Sequence, residues 1–335
     1  MFKNKININL MGIVLLTIWG CGTMEKEDET LSVPQKVSIK MPKALETKSA
    51  TEKKYQKSRR KENLKSAGYL ELKEDVAFLE EQRVSLEINL LFINEVISKI
   101  DRECKEVSTE EKCSILEDKL SFVFDENLSD RLKGLTSKDL GYAVGDTLYF
   151  GKVDFIKHLP SNVYRYTLKM DIDFYNETNS SAYENISWSK DERLIVSEYV
   201  EESASLKNSI KIDFSRKIDE SREIVVDDSL FDKSDNSSDT FHFAMLKRAD
   251  AEETYELNSS SMAIDSDARK AYFASKGKLS NLGGYLNFNG KLDGELFKEK
   301  DVFDENGDIV RSSYCYSGMS CDLEDENSWL RNKAH

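Results

Sequence analysis

Histidine, the side chain that most often acts as a general base, is rare in this chain. There are 3 histidines among 335 residues. His158 precedes a Leu-Pro pair, and His242 lies in the alternating segment Phe241–Ala244. A histidine activates a nucleophile only when the fold places the two within hydrogen-bond reach. The sequence contains no Gly-x-Ser-x-Gly elbow, no phosphate loop and no metalloprotease helix motif. We therefore assign no catalytic residue.

Carboxylates are abundant, so adjacent ones carry little weight as evidence of chemistry. The chain has 62 Asp and Glu residues, including the pairs Asp171/Asp173 and Asp227/Asp228. Two carboxylates can hydrolyse a glycosidic bond, but only at a defined separation in the folded protein. The sequence does not fix that separation, and composition alone accounts for the pairs.

The segment Asp304–Asp308 resembles the start of a calcium loop. An EF-hand loop, however, needs glycine at its sixth position and a bidentate glutamate at its twelfth, and this segment has neither. Asn306-Gly307 between apolar residues instead favours a β-hairpin with a type I′ turn. We expect no metal site and no cofactor.

The aromatic residues have two interpretations, a binding surface or ordinary strand composition. Trp188 and Trp329, together with 14 tyrosines, are residue types that line sugar-binding or peptide-binding surfaces. Tyrosine is also common on antiparallel strands, and ordinary strand composition is the favoured interpretation.

The first 20 residues have the features of an export signal. Lys3 and Lys5 precede an apolar run from Leu10 to Trp19. Ten residues are too few to cross a bilayer, which takes about 20. The run ends two residues before Cys21, and the order Ile-Trp-Gly-Cys at 18–21 resembles the lipobox of bacterial lipoproteins.

That resemblance covers residues 1–21 and implies a membrane anchor. In bacterial lipoproteins the cysteine at this position is lipidated and becomes the new N-terminus, so the resemblance implies lipidation of Cys21. Trp19 is bulkier than the residue usually found there, and an ordinary secretory signal with a chance cysteine is the alternative. Gly22 after the cysteine implies the outer membrane in a Gram-negative host. Multiple acyl chains anchor a protein without a spanning segment.

The remaining four cysteines form two local pairs. An even number of cysteines in an exported chain predicts disulfides, and the sequence spacing favours Cys104–Cys113 and Cys315–Cys321. A zinc site is the alternative, but its cysteines are usually two to four residues apart. A redox-active role for Cys315 and Cys321 is disfavoured, because catalytic dithiols usually have two residues between the cysteines.

Charge divides the rest of the chain. Residues 36–65 carry eleven Lys or Arg and three Glu, whereas the whole chain has a net charge of −14. This net charge predicts that nucleic acid is not the main partner, since phosphate binding needs a basic face. The basic segment suits contact with an anionic envelope polymer or with lipid headgroups. A solvated spacer is the favoured interpretation.

Apolar residues then recur at alternating steps of four and three, which predicts a long amphipathic helix. The positions are Leu72, Val76, Leu79, Leu86, Leu90, Ile93, Ile97, Ile100 and Cys104, interrupted by Arg83. Such a seam can form an oligomeric coiled coil or cover a core within one chain.

A second helix is predicted directly after the first. Ser108 and Glu111 match a capping box, and Cys113, Leu116 and Leu120 continue the spacing. Two helices joined by a short turn form an antiparallel hairpin, in which the Cys104–Cys113 disulfide would join them.

Beyond residue 141 the apolar period falls to two, which predicts strands. In the segment from Tyr164 to Phe174, apolar and polar residues alternate strictly. About nine further segments follow, and alternation without intervening helices predicts antiparallel pairing. The expected fold class is α+β, with the disulfide-joined helical hairpin packed on a curved, mainly antiparallel β-sheet of half-barrel or sandwich type.

The predicted organisation has four parts: a signal peptide at 1–20, a lipid anchor and basic flexible tether at 21–65, a helical hairpin at 66–140 and an antiparallel β domain at 141–335. The favoured function is a non-enzymatic binding or structural role in the bacterial cell envelope, with an unknown protein partner. The alternative is a carrier that holds a lipid or other apolar ligand between the sheet and the helices.

Overall fold

The computed structural model describes residues 33–34, 37, 39–45, 67–104, 112–115, 121–123, 126, 144–145, 147–149, 153–158, 165–172, 181–189, 191–267, 270–292 and 294–333. Cys21 and the rest of the predicted signal and anchor lie outside these residues.

The described residues contain one long α-helix, α1, from Ala67 to Glu103. Its seam is buried within the single chain: Leu72, Val76, Leu79 and Leu90 have no exposed surface. Residues four and three apart share a face of a helix, so the predicted spacing describes the buried face correctly. Packing within the chain therefore accounts for the seam without a coiled-coil partner.

The rest of the described chain is mainly β-strand. The strands are β1 Lys112–Ile115, β2 Ser121–Val123, β3 Thr147–Tyr149, β4 Val153–His158, β5 Arg165–Ile172, β6 Ser181–Ser189, β7 Leu194–Glu202, β8 Leu206–Arg216, β9 Arg222–Asp232, β10 Ser237–Lys247, β11 Tyr255–Ile264, β12 Lys270–Ser280, β13 Gly283–Leu292, β14 Glu295–Phe303, β15 Ile309–Tyr316 and β16 Leu330–Lys333.

The chain divides into two compact units. The first contains residues 1–37 and 81–199, and the second contains 38–80 and 200–335. In the first unit the hydrogen-bonded strand order is β1-β4-β5-β6-β7, and β2 and β3 form a separate pair. In the second unit β8 to β16 follow one another in chain order. The pairings are antiparallel, as between β12 and β13.

The core of the second unit lies between the N-terminal half of α1 and one face of its strands. Alternation places Phe297 and Phe303 of β14 on that face, and both are buried. Tyr69 of α1 packs on Phe303 at a ring-centroid distance of 5.6 Å. At Gly68 the helix approaches so closely that a Cβ atom would lie 2.5 Å from the Phe288 side chain. Glycine is therefore required at this helix–sheet contact.

In the first unit, the C-terminal half of α1 contributes Leu86, Leu90 and Ile93 to the core. Ile186 and Trp188 of β6 are also buried, two residues apart and hence on one face of the strand. Asn89 of the helix hydrogen-bonds to β6, so polar as well as apolar side chains hold the helix to this unit.

The predicted helical hairpin is wrong, and with it the α+β fold class. Cys113 and Ile115 lie in β1, where they pair with Phe155 and Val153 of β4. Short apolar runs fit a helix and a strand equally well. Here pairing with β4 determines the structure. The predicted β segments from 141 onward overlap strands in the described part of the chain, and this part is mainly β with one long helix.

Part of the predicted tether at 21–65 packs on the folded chain. In the first unit, Glu87 accepts a hydrogen bond from the Val37 backbone N–H at 2.9 Å, and Arg83 donates to the Val37 carbonyl at 3.1 Å. In the second unit, a 3₁₀ turn at Lys43–Leu45 is buried at Leu45. Tyr69 donates a hydrogen bond to the Ala44 carbonyl at 2.5 Å.

Candidate functional site

The solvent-facing side of β12, β13 and β14 is strongly basic. Side chains on a strand alternate between its two faces, and those opposite the buried face are Lys270, Tyr272, Ala274, Lys276, Lys278, Tyr285, Asn287, Asn289, Lys291, Leu296, Lys298, Lys300 and Val302. Six are lysines, and none of the outward positions of these three strands is acidic. We call this set the basic face.

The register aligns the basic face into rows across the three strands. Lys276 lies opposite Asn287, which lies opposite Lys300. The neighbouring row has Asn289 opposite Lys298. Strands in a sheet are about 4.8 Å apart, and rows on one face are about 7 Å apart. The arrangement is therefore a lattice of ammonium groups with two side-chain amides at its centre.

Two tyrosines flank the amides on the basic face. Tyr272 is 39% exposed and Tyr285 is 43% exposed. Lys300 lies over the Tyr285 ring, with its Nζ 5.9 Å from the ring centroid. An exposed tyrosine presents an apolar ring and a polar hydroxyl, so the basic face offers ammonium groups, amides and aromatic rings together.

An acidic loop from the chain itself already contacts the basic face. Glu324 pairs with Lys298 at 2.7 Å, and Glu326 pairs with Lys300 at 2.8 Å. Both glutamates belong to the Asp322–Glu326 segment, which follows the Cys315–Cys321 disulfide. Carboxylates therefore reach the lysines of β14. On β12, Lys278 is exposed and lies opposite Glu256 of β11, and Lys276 is exposed and lies opposite Asn258.

The buried side of β14 carries carboxylates. Glu299 is 1% exposed and accepts hydrogen bonds from the Gly68 backbone N–H at 3.0 Å and from the Tyr316 hydroxyl. Gly68 lies in the first turn of α1, where the helix dipole favours a negative charge. Burial and this hydrogen bond raise the pKa of Tyr316. Burial, with the charges of Asp301 and Asp308, raises the pKa of Tyr69 to about 12.

In the first unit, Glu184 of β6 is a buried acid. It accepts hydrogen bonds from Asn89 Nδ2 at 2.8 and 2.9 Å and from Ser197 Oγ at 2.8 Å. Burial raises its pKa to about 7, because desolvation outweighs the opposing effect of these hydrogen bonds. The cluster joins α1, β6 and β7, and its geometry is that of a structural polar contact.

His242 forms an exposed pair with Asp227. Its Nδ1 lies 2.7 Å from Asp227 Oδ1 across β9 and β10, and Ser260 of β11 lies directly opposite His242. Carboxylate, imidazole and hydroxyl thus stand in one row, but no hydrogen bond joins His242 to Ser260 in this described region. Asp227 is more than half exposed, so water screens the pair. His158 is the last residue of β4, and its side chain lies outside the described part.

The Asp304–Asp308 segment is a hairpin turn between β14 and β15, as predicted, but its type differs. Gly307 has a φ of +80°, whereas Asn306 is absent from the described residues with positive φ. A type I′ turn needs positive φ at both central residues. Asp304 Oδ1 accepts the backbone N–H groups of Asn306 and Asp308 at 2.9 Å each, so its carboxylate closes the turn. No cluster of potential metal ligands occurs within the described residues.

Both predicted disulfides are present. Cys104–Cys113 joins the end of α1 to β1, and Cys315–Cys321 joins β15 to the acidic loop.

Trp188 is buried in the first unit. Trp329 donates its indole N–H to the Asp322 carbonyl at 3.0 Å. Neither tryptophan belongs to the basic face.

The basic face was missed in the sequence, although one signal for it was present. Along β14, Phe297, Glu299, Asp301 and Phe303 alternate with Lys298 and Lys300. That phase places the acids on the buried face and the lysines on the other. The lattice also depends on the register of β12, β13 and β14, which is set by the turns that join these consecutive strands.

No family model, curated protein or solved structure matches this chain. None of the helices among the described residues has the length and apolar character needed to cross a membrane.

Proposed function

We propose that this chain is a lipid-anchored protein of a bacterial cell envelope, with a non-enzymatic binding role exerted by the basic face. The observation that carries the binding role is the charge distribution. Six lysines and no acid occupy the outward positions of β12–β14 in a chain whose net charge is −14. A cluster of charges of one sign attracts and orients a partner that carries the opposite charge.

The anchor part of the proposal rests on residues 1–21. Lipidation of Cys21 places the protein on a membrane, and Gly22 assigns the outer membrane in a Gram-negative host. The basic segment 36–65 follows that anchor in the sequence, and its charge favours contact with anionic headgroups or an envelope polymer. Lys40 and Lys43 of this segment are already engaged, by Glu253 at 3.1 Å and by the Glu305 carbonyl at 3.1 Å.

The carrier alternative receives less support. It needs space for a ligand between the sheet and the helix. In the second unit that face is occupied by α1 side chains with no exposed surface, such as Leu72 and Val76. The outward face is the part of the sheet that presents its side chains to a partner.

The anchor is tested by expressing the full chain in a Gram-negative host and following incorporation of labelled palmitate. Cys21→Ser abolishes incorporation and moves the protein from the detergent-rich to the aqueous phase in Triton X-114 partition. Thr23→Ser is the control and changes neither. Membrane retention of the Cys21→Ser chain contradicts the anchor.

The binding role is tested by retention of the detergent-solubilised full chain on dextran sulfate beads. The variant Lys276→Glu/Lys278→Glu/Lys291→Glu lowers retention at about 0.15 M salt by about tenfold. The control is Lys207→Glu/Lys211→Glu/Lys217→Glu, which changes the net charge equally at lysines outside the basic face. An equal loss in both variants contradicts a role for this surface.

A further inference from the structure

The chemistry of the basic face specifies more than an anionic partner. We propose that it binds a linear anionic polysaccharide, one bearing carboxylate or sulfate groups, along the rows of β12, β13 and β14. This inference rests on the binding role proposed above and assigns its ligand class.

The cation type is the first argument. All six cations of the basic face are lysines, and none of its positions is arginine. Arginine forms two parallel hydrogen bonds to phosphate and is enriched where nucleic acids are recognised. An ammonium group acts as a compact point charge, which suits charges distributed along a polymer of sugar acids.

The neutral side chains are the second argument. Asn287 and Asn289 occupy the middle strand of the basic face, and both are exposed. An amide group donates two hydrogen bonds and accepts two, which matches the hydroxyls of a sugar. Tyr272 and Tyr285 flank these amides with exposed rings. A purely electrostatic surface would not need amides between its charges.

The acidic loop is the third argument. Glu324 and Glu326 bind Lys298 and Lys300 from the outward side, at 2.7 and 2.8 Å. A chain segment with four acids among five residues, Asp322–Glu326, therefore docks on one strand of the basic face as an anionic ligand would. Glu324 is 83% exposed, and exposed ion pairs contribute only about 1 kcal/mol or less. A polymer with many charges can displace them.

A lipid surface is the competing partner. Peripheral membrane binding combines lysines with apolar side chains that enter the acyl region. On the basic face the central rows carry Asn287 and Asn289 with the small Ala274, whereas the larger Leu296 and Val302 lie at the two ends, opposite Lys291 and Tyr285. The composition at the centre therefore favours a sugar polymer.

The test measures binding of the detergent-solubilised full chain to polygalacturonate, neutral dextran, duplex DNA and phosphatidylglycerol vesicles. We expect binding to polygalacturonate that weakens with salt and no binding to dextran. Asn287→Ala/Asn289→Ala leaves the charge unchanged and weakens polygalacturonate binding about threefold to tenfold. Glu324→Gln/Glu326→Gln strengthens it, because Lys298 and Lys300 become available. Ser238→Ala, a polar substitution outside the basic face, leaves it unchanged.

The outcomes separate the two proposals. The polysaccharide proposal is overturned if vesicles or DNA bind at least as tightly as polygalacturonate and if the double asparagine variant binds polygalacturonate as the unmodified chain does. The binding role of the basic face would remain. If the lysine variant and its charge-matched control both lose binding to every polyanion, the binding role of the basic face is overturned as well. Circular dichroism verifies that each variant is folded.

Discussion

At the scale of single residues, buried carboxyl groups have the clearest physical consequences. Glu184 is 4% exposed, and its pKa of about 7 lies well above the ordinary value of 4.5. Unfolded chains release this proton near pH 4.5, whereas the folded protein retains it up to about pH 7. The stabilisation from the neutral carboxyl is therefore complete below pH 4.5 and is lost as the pH rises through 7.

Glu184→Gln removes this pH dependence. The residue contributes a decline of about 3 kcal/mol in the free energy of unfolding between pH 4.5 and 7. The variant loses that part of the decline, as measured by urea denaturation at a series of pH values. Glu198→Gln, on the opposite face of β7 beside Ser197, is the control and retains it. An unchanged slope in Glu184→Gln contradicts the assignment.

Glu299 acts as a cap for α1 supplied by the sheet. Its carboxylate accepts the Gly68 N–H and the Tyr316 hydroxyl in a buried position. Glu299→Leu leaves both donors without a partner and lowers the free energy of unfolding by about 2–5 kcal/mol. Lys300→Leu, on the outward face of the same strand, costs about 1 kcal/mol or less. Equal effects in guanidinium denaturation would show that the cap does not stabilise the helix.

At the scale of elements, α1 depends on an ion pair that interrupts its apolar seam. Arg83 and Glu87, one turn apart, pair at 2.8 Å, and together they hold the N–H and C=O of Val37. Glu87 is nearly fully buried. The arginine that broke the apolar pattern in the sequence therefore has a structural role: it neutralises a buried acid and binds the preceding segment.

A double-mutant cycle measures this contact. Arg83→Met removes the cation that pairs with buried Glu87 and costs about 3–5 kcal/mol. The pair Arg83→Met/Glu87→Met removes the buried charge as well and is more stable than Arg83→Met alone. The free energies of unfolding come from urea denaturation. If the effects of Arg83→Met and Glu87→Met on the free energy of unfolding add up to the effect of the double variant, the two residues are not energetically coupled.

The elements differ in how far the sequence predicts them. The helical period from Leu72 to Ile100 and the strand period from 164 onward each span enough residues to identify the element. The segment around Cys113 is too short, and its strand conformation depends on pairing with β4, since Cys113 lies opposite Phe155. Long periodic segments were therefore predictable, whereas short segments that are fixed by distant partners were not.

At the scale of the whole molecule, the candidate site also depends on strand pairing, which limited the prediction of the short elements. The phase of β14 places Lys298 and Lys300 opposite Phe297 and Phe303, so the outward direction of these lysines follows from the sequence. Their alignment with Asn287 and Asn289 follows only from the register of β13 and β14. Both disulfide pairings were predictable because their cysteines are close in sequence.

The central claim is that the anionic partner contacts the basic face. The most direct measurement is acetylation of lysines in the full chain with and without polygalacturonate, read out for each residue by mass spectrometry. Bound polymer slows the acetylation of Lys276, Lys278 and Lys291, and leaves Lys207, Lys211 and Lys217 unchanged. Protection confined to Lys48, Lys53 and Lys54 of the basic segment, or spread equally over all these lysines, would contradict the claim.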